Sequence, residues 1–105
     1  MQRGDLITVA LQGDAGKPRP ALVIQADHFT NLPTLVVLPL TSTVLDLPLV
    51  RVTVEPSAGT GQRSQVIISR PQFLPRDKAG PVIGHLDAAI LLEVTRRLAV
   101  LLGIG

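Results

Sequence analysis

Gly16-Lys17-Pro18-Arg19-Pro20-Ala21-Leu22-Val23-Ile24-Gln25 holds an arginine between two prolines, directly before a short apolar run. Proline fixes its own backbone and pushes the residue before it into extended geometry. Arg19 is therefore barred from a helix, and its guanidinium is aimed before any ligand arrives. The run Ala21 to Ile24 is short, apolar and bounded by punctuation residues, which predicts a strand covered on both faces. Arg19 stands at that strand's entrance.

A second run, Leu35-Val36-Val37-Leu38-Pro39-Leu40, ends in Thr41-Ser42-Thr43. If the two runs pair as antiparallel neighbours, the entrance of the first lies beside the exit of the second, so Arg19, Thr41 and Ser42 share one end of a sheet. A fixed cation beside two hydroxyls suits an oxyanion or a phosphate.

Outward from this pair the chain alternates in short stretches. Leu6 to Leu11 predicts a first strand, and Gln12 to Lys17 a polar loop. Ala26 to Phe29 has room for one helical turn. Thr43 to Pro48 reads as an irregular excursion. Val50 to Val54 and Ser64 to Ser69 flank a Gly-rich connection and predict a hairpin, which sets Arg51 near Ser69 and Arg70. Val82 to Leu86 predicts a last strand. A helix then starts at Asp87, a good N-cap, with Leu86 and Leu91 spaced as a hydrophobic staple, and stops at Gly103. Leu91, Val94 and Leu98 repeat at helical spacing, with Glu93 and Arg97 paired on the other face, and Arg96 and Arg97 are expected to face solvent. Ile90, Val100 and Ile104 widen the apolar surface beyond one stripe, which fits either deeper burial or a partner's helix, and a homodimer is the expectation. Several strands followed by one helix predict an α+β domain spanning 1–105: a small, strongly bent antiparallel sheet or partial barrel.

The chain has 105 residues, nearly half of them apolar, enough for one modest core. It has no cysteine, which removes disulfides, thiolate chemistry and cysteine-ligated zinc, and agrees with a reducing, cytoplasmic setting. No signal peptide is evident, and no apolar run approaches the roughly 20 residues that span a bilayer, so no membrane association is expected. A formal net charge of +2 is too weak to hold duplex nucleic acid by charge alone. The cations are eight arginines and two lysines, however, and arginine is the better fork for phosphate. With Phe29 and Phe73 as the only aromatics, a platform that stacks successive bases is excluded.

The chain resembles a MazF/PemK-type toxin, the ribonuclease half of a bacterial toxin-antitoxin module. The residues that carry the resemblance are Arg3-Gly4-Asp5-Leu6, Gly16 to Gln25 with Asp27, Pro39-Leu40-Thr41-Ser42, Ser64 with Val66, Ile83-Gly84-His85-Leu86, and a terminal helix ending in Leu102-Gly103. The resemblance implies an SH3-like partial barrel of the CcdB/PemK type with a C-terminal helix, and a homodimer. It also implies cofactor-free, metal-independent cleavage of single-stranded RNA by attack of a 2′-hydroxyl, and inhibition by an acidic antitoxin protein. Arg19 carries over as the catalytic arginine, and Thr41 with Ser42 as its hydroxyl partners. Lys17, Arg51, Ser69, Arg70 and Gln72 are the candidate RNA contacts. The chain departs from the family pattern at Ser69-Arg70-Pro71-Gln72-Phe73, where Ser69 takes an acidic position and Gln72-Phe73 an arginine-threonine pair. That departure keeps a second reading open: a non-catalytic, CcdB-like gyrase-binding toxin, or an inert relative that only binds its antitoxin.

Overall fold

The apolar residues of the first strands divide by parity into two cores, one on each face of the sheet. The computed structural model describes residues 1–10, 17–29 and 31–104. It contains β1 (Asp5–Val9), β2 (Arg19–Val23), β3 (Thr34–Thr41), β4 (Arg51–Val54), β5 (Ser64–Ile67), β6 (Gln72–Pro75), β7 (Val82–His85) and α1 (Ala88–Leu102). Leu6, Leu22, Leu38 and Leu40 join Val52, Val54, Val66, Ile68, Leu86 and Val94 in one cluster. Ile7, Val9, Ala21, Val23, Leu35, Val37 and Leu74 form the other. The run Ala21 to Val23 is continuously apolar because it is buried on both faces. Each such full burial contributes about 1.5–3 kcal/mol.

The sheet runs β4-β5-β3-β2-β1-β7, antiparallel throughout, with β6 also paired to β3. One edge of β3 meets β2 with Ala21 opposite Pro39. Its other edge meets β6 from Thr34 to Val37 and then β5 at Leu40 and Thr41. Pro39 has no N–H to donate and falls in the gap between those two partners. The sheet curls there into an α+β half-barrel.

The helix begins as expected. The Asp87 carboxylate accepts the Ile90 N–H at 2.9 Å, and Gly103 ends the helix in the left-handed region at φ 73°. Leu86 is buried and Leu91 packs on the same cluster, as a staple requires. Within α1 only Val94 is fully buried, while Ile90, Leu91 and Leu98 cover the mouth of the half-barrel. Arg96 faces solvent, but Arg97 does not simply do so. It is half-buried, with Nη2 2.7 Å from Glu93 and its Nε atom enclosed.

Some boundaries differ from the sequence reading. β6 was not anticipated, because Pro71 and Pro75 bracket it and proline argues against a paired strand. It is short and at the edge, where only Leu74 must be buried. β5 stops at Ile67, and Ile68-Ser69 turn the chain toward β6. Arg51 therefore faces Ile67 rather than the Ser69-Arg70 pair. Leu11 and the loop expected over Gln12 to Gly16 lie outside the described residues.

A close backbone approach and a side-chain contact hold neighbouring points of the β1–β7 pair. A 3-10 turn at Pro56–Ala58 crosses β7, where a Cβ on Gly84 would sit 1.7 Å from the Ala58 carbonyl oxygen. No rotamer relieves a clash between a Cβ and a backbone atom. One residue along, Asp5 accepts the Gln2 N–H at 2.7 Å and meets His85 Nδ1 at 2.8 Å. Burial alone would raise the Asp5 carboxyl, but the Gln2 N–H, the His85 hydrogen bond and charge, and the terminal ammonium together hold it below its usual value.

Gly84→Ala should lower stability by at least about 2 kcal/mol, read as a fall in Tm of roughly 8–16 °C; an unchanged Tm would refute the crossing. A depressed carboxyl stabilises the fold above its unfolded pKa, near 3.9, and that contribution is lost as pH falls through the lower folded value. Asp5→Asn should therefore lower Tm by a few degrees at pH 6, and the gap from the parent should narrow as pH falls below that unfolded value. A gap that stays constant across that range would contradict the Asp5 assignment.

Candidate functional site

Parity also decides which side chains gather at the open end of the second cluster. Val9 lies opposite Arg19 across β1 and β2. Ala21 lies opposite Pro39, and continuing that register by two residues sets Arg19 across from Thr41. Arg19, Ala21 and Val23 thus point to one face, as do Val37, Pro39 and Thr41. Gln72 joins them through its pairing with Val37. Where apolar side chains run out, Arg19 and Thr41 take their places.

A cleft of about 310 Å³ opens at this point, lined by Arg19, Pro20, Pro39, Leu40, Thr41, Ser42, Thr43, Gln62, Ser64, Ile67, Arg70 and Gln72. Its lining residues carry two guanidinium groups, four hydroxyls and two carboxamides, of which the Ser64 hydroxyl is bonded to the Gln62 carbonyl at 3.1 Å. Its described lining includes no carboxylate or imidazole. Arg19 and Arg70 are exposed, Thr41 and Gln72 half-buried, and Ser64 buried. The Thr41 Oγ1 accepts the Thr43 N–H at 3.1 Å, so its own proton remains free to be donated.

Five of the eight residues singled out from sequence line this cleft: Arg19, Thr41, Ser42, Arg70 and Gln72. Lys17 and Ser69 are exposed but are not part of its lining. Arg51 lines a neighbouring depression with Leu45, Gln65 and Arg97, and its Nη1 is 3.1 Å from both the Thr43 carbonyl oxygen and Gln65 Oε1. Arg51 lies opposite the cleft residue Ile67, but its guanidinium is engaged by Thr43 and Gln65 beside the cleft. Thr43, Gln62 and Ser64 were not anticipated. Thr43 extends the Thr41-Ser42 pair by one hydroxyl. Ser64 opens β5 beside Thr41, a placement that only the β3–β5 register reveals.

The other motif residues act within the fold. Gln25 bridges the β2–β3 connection, donating from Nε2 to the Phe29 carbonyl at 2.9 Å and accepting the Val36 N–H at 3.0 Å. Asp27 accepts the Arg3 N–H at 2.7 Å, and Arg3 Nη2 donates to the Thr95 hydroxyl on α1. His85 serves the Asp5 contact rather than the cleft. In the described structure no helix is long and apolar enough to cross a membrane.

Comparison with known proteins agrees with this arrangement. Residues 2–102 match the family model of the PemK-like, MazF-like toxin of type II toxin-antitoxin systems. The chain is 37% identical over 108 residues to a probable endoribonuclease MazF of Mycolicibacterium smegmatis, covering all of this chain and 99% of that protein. A crystal structure of MazE-MazF from Deinococcus radiodurans superposes with a TM-score of 0.85 at 26% identity, over 100% of this chain and 98% of that one. A mycobacterial endoribonuclease in complex with its cognate antitoxin has the same fold, with a TM-score of 0.86 at 22% identity over 100% and 97% of the two chains. With a family match over almost its whole length and a half-barrel of the same shape, the chain belongs to the PemK-like, MazF-like toxins of type II toxin-antitoxin systems.

Proposed function

We propose that the chain is an endoribonuclease that cleaves single-stranded RNA at the cleft between Arg19, Thr41 and Arg70. The observation that carries this reading is the composition of the cleft: paired guanidinium groups and donor hydroxyls on a rigid strand end, complementary to a phosphodiester. The reading draws further support from the relative named a probable endoribonuclease MazF.

In the proposed reaction the ribose 2′-hydroxyl gives its proton to solvent as its oxygen attacks the adjacent phosphorus, the bond to the 5′-oxygen breaks, and that oxygen takes a proton from solvent, leaving a 2′,3′-cyclic phosphate and a 5′-hydroxyl. Charge gathers on the non-bridging oxygens of the five-coordinate transition state. A guanidinium held by Pro18 and Pro20 and a hydroxyl whose acceptor side is already occupied stabilise that charge more than they stabilise the ground state. Arg19 acts as a hydrogen-bond donor and charge stabiliser rather than as a base, because a guanidinium keeps its protons in a protein. Ser42 is the second hydroxyl of the pair. Arg70 and Gln72 on the far wall hold a flanking nucleotide, with Lys17 and Ser69 on the adjoining surface. The sequence in a reducing setting and the family point to action in the cytoplasm, on RNA, under control of an acidic antitoxin segment that competes for the same cations. The exposed Val100, Leu102 and Ile104 at the end of α1 support pairing as a homodimer.

Purified protein incubated with mixed single-stranded RNA in EDTA should give discrete fragments ending in cyclic phosphate and 5′-hydroxyl. Arg19→Ala should reduce the rate by at least about 100-fold, as loss of an oxyanion stabiliser does. Light scattering of the same preparation at micromolar concentration should return the dimer mass. Intact RNA would sink the ribonuclease reading, and RNA left intact together with stalled gyrase would establish the CcdB-like alternative. A monomer mass would remove the homodimer.

A further inference from the structure

Gln65 is a buried polar residue in the middle of β5, only 5% exposed, and none of the chemistry above uses it. A carboxamide in such a place must satisfy both its donor and its acceptor, because an unpaired buried polar group keeps the full cost of its desolvation. Gln65 does so on a segment with no regular structure of its own. Its Oε1 accepts the Leu45 N–H at 3.0 Å, and its Nε2 donates to the Leu45 carbonyl at 3.1 Å. The side chain thus pairs with Leu45 as a strand backbone would. Arg51 completes the clasp, with Nη1 donating to the Thr43 carbonyl and to Gln65 Oε1, both at 3.1 Å.

The clasped segment is the continuation of β3 through the cleft wall. Thr41, Ser42 and Thr43 line the cleft, and Thr43 N–H is the group that occupies the acceptor side of the Thr41 hydroxyl. Gln65 is also the residue opposite Thr41 in the β3–β5 register. Held at its Cα partner on one side and at Leu45 and Thr43 on the other, the Thr41 turn has one arrangement. Released, the segment of residues 43–48 keeps few contacts to set that turn, since every residue in it is exposed.

We infer that Gln65 and Arg51 are positioning residues for the proposed RNA cleavage: together they lock the Thr41-Ser42-Thr43 turn so that the Thr41 hydroxyl donates into the cleft. This inference rests on the ribonuclease reading, and it assigns Arg51 a role other than direct RNA contact. Neither residue touches the reacting atoms, and each acts through Thr41.

The test is a double-mutant cycle on a single-site RNA. Gln65→Leu should lower kcat about 10-fold with KM changed less than about 2-fold, because the hydroxyl is misplaced while the cations still bind RNA. In a Thr41→Val background, where the hydroxyl is already gone, Gln65→Leu should lower kcat by less than about 2-fold further. Arg51→Met, at a half-buried position, carries the same two criteria if Gln65→Leu does not fold. Equal losses in both backgrounds, or a loss confined to KM, would overturn the inference. Amide exchange in the RNA-free protein reads the clasp directly: Leu45 and Thr43 should exchange at least about 10-fold faster in Gln65→Leu. Unchanged exchange overturns the inference even where the parent cleaves RNA, whereas a parent that leaves RNA intact overturns the ribonuclease reading itself.

Discussion

The structure depends on β3 having three partners. One edge pairs with β2, and the other is shared in turn by β6 and β5, with the donor-less Pro39 at the change. A strand that must satisfy ladders on both edges cannot shift register, because a slip of one residue would exchange the side chains it packs into the two cores. That register alone sets Arg19 against Thr41, residues more than twenty positions apart in the chain. The curvature that follows from the change of partner opens the cleft at the same place.

Around this strand, buried or half-buried carboxamides do what a backbone ladder would otherwise do. Gln25 ties the β2–β3 connection to Val36, and Gln65 ties the exit of β3 to Leu45. The two clips sit at opposite ends of β3 and leave the strand itself as the rigid part. Glycines serve the remaining approach, where Gly84 lets the turn after β4 rest on β7. Local polar pairing and close backbone contact thus hold a half-barrel whose helix buries only one residue completely.

Much of this was legible in the residues. The proline-bracketed arginine, the apolar runs and the cap at Asp87 each have a local cause, and local causes leave a local pattern. The meeting of Arg19 with Thr41 followed from assuming one antiparallel pair. What stayed hidden needed long-range register. β6 was masked by its flanking prolines, and Arg51 was misplaced because β5 ends at Ile67, two residues before the strand end expected at Ser69. Ser64 and Gln65 were read as the start of a strand, but nothing local showed that both are buried. The family resemblance supplied the reaction and the partner classes, which geometry alone does not name.

The cleft joins a guanidinium on a proline-constrained backbone with a hydroxyl whose acceptor side is already occupied, and in the proposed reaction the two act on one phosphate as a unit. Groups that share a transition state are not additive when removed. The most direct measurement is kcat/KM on a single-site RNA for the parent, Arg19→Gln, Thr41→Val and the double variant. A shared phosphate predicts a combined loss smaller than the product of the two single losses by at least about 10-fold, or about 1.4 kcal/mol of coupling. Losses that multiply would show that the two side chains act on separate anions and would contradict the account.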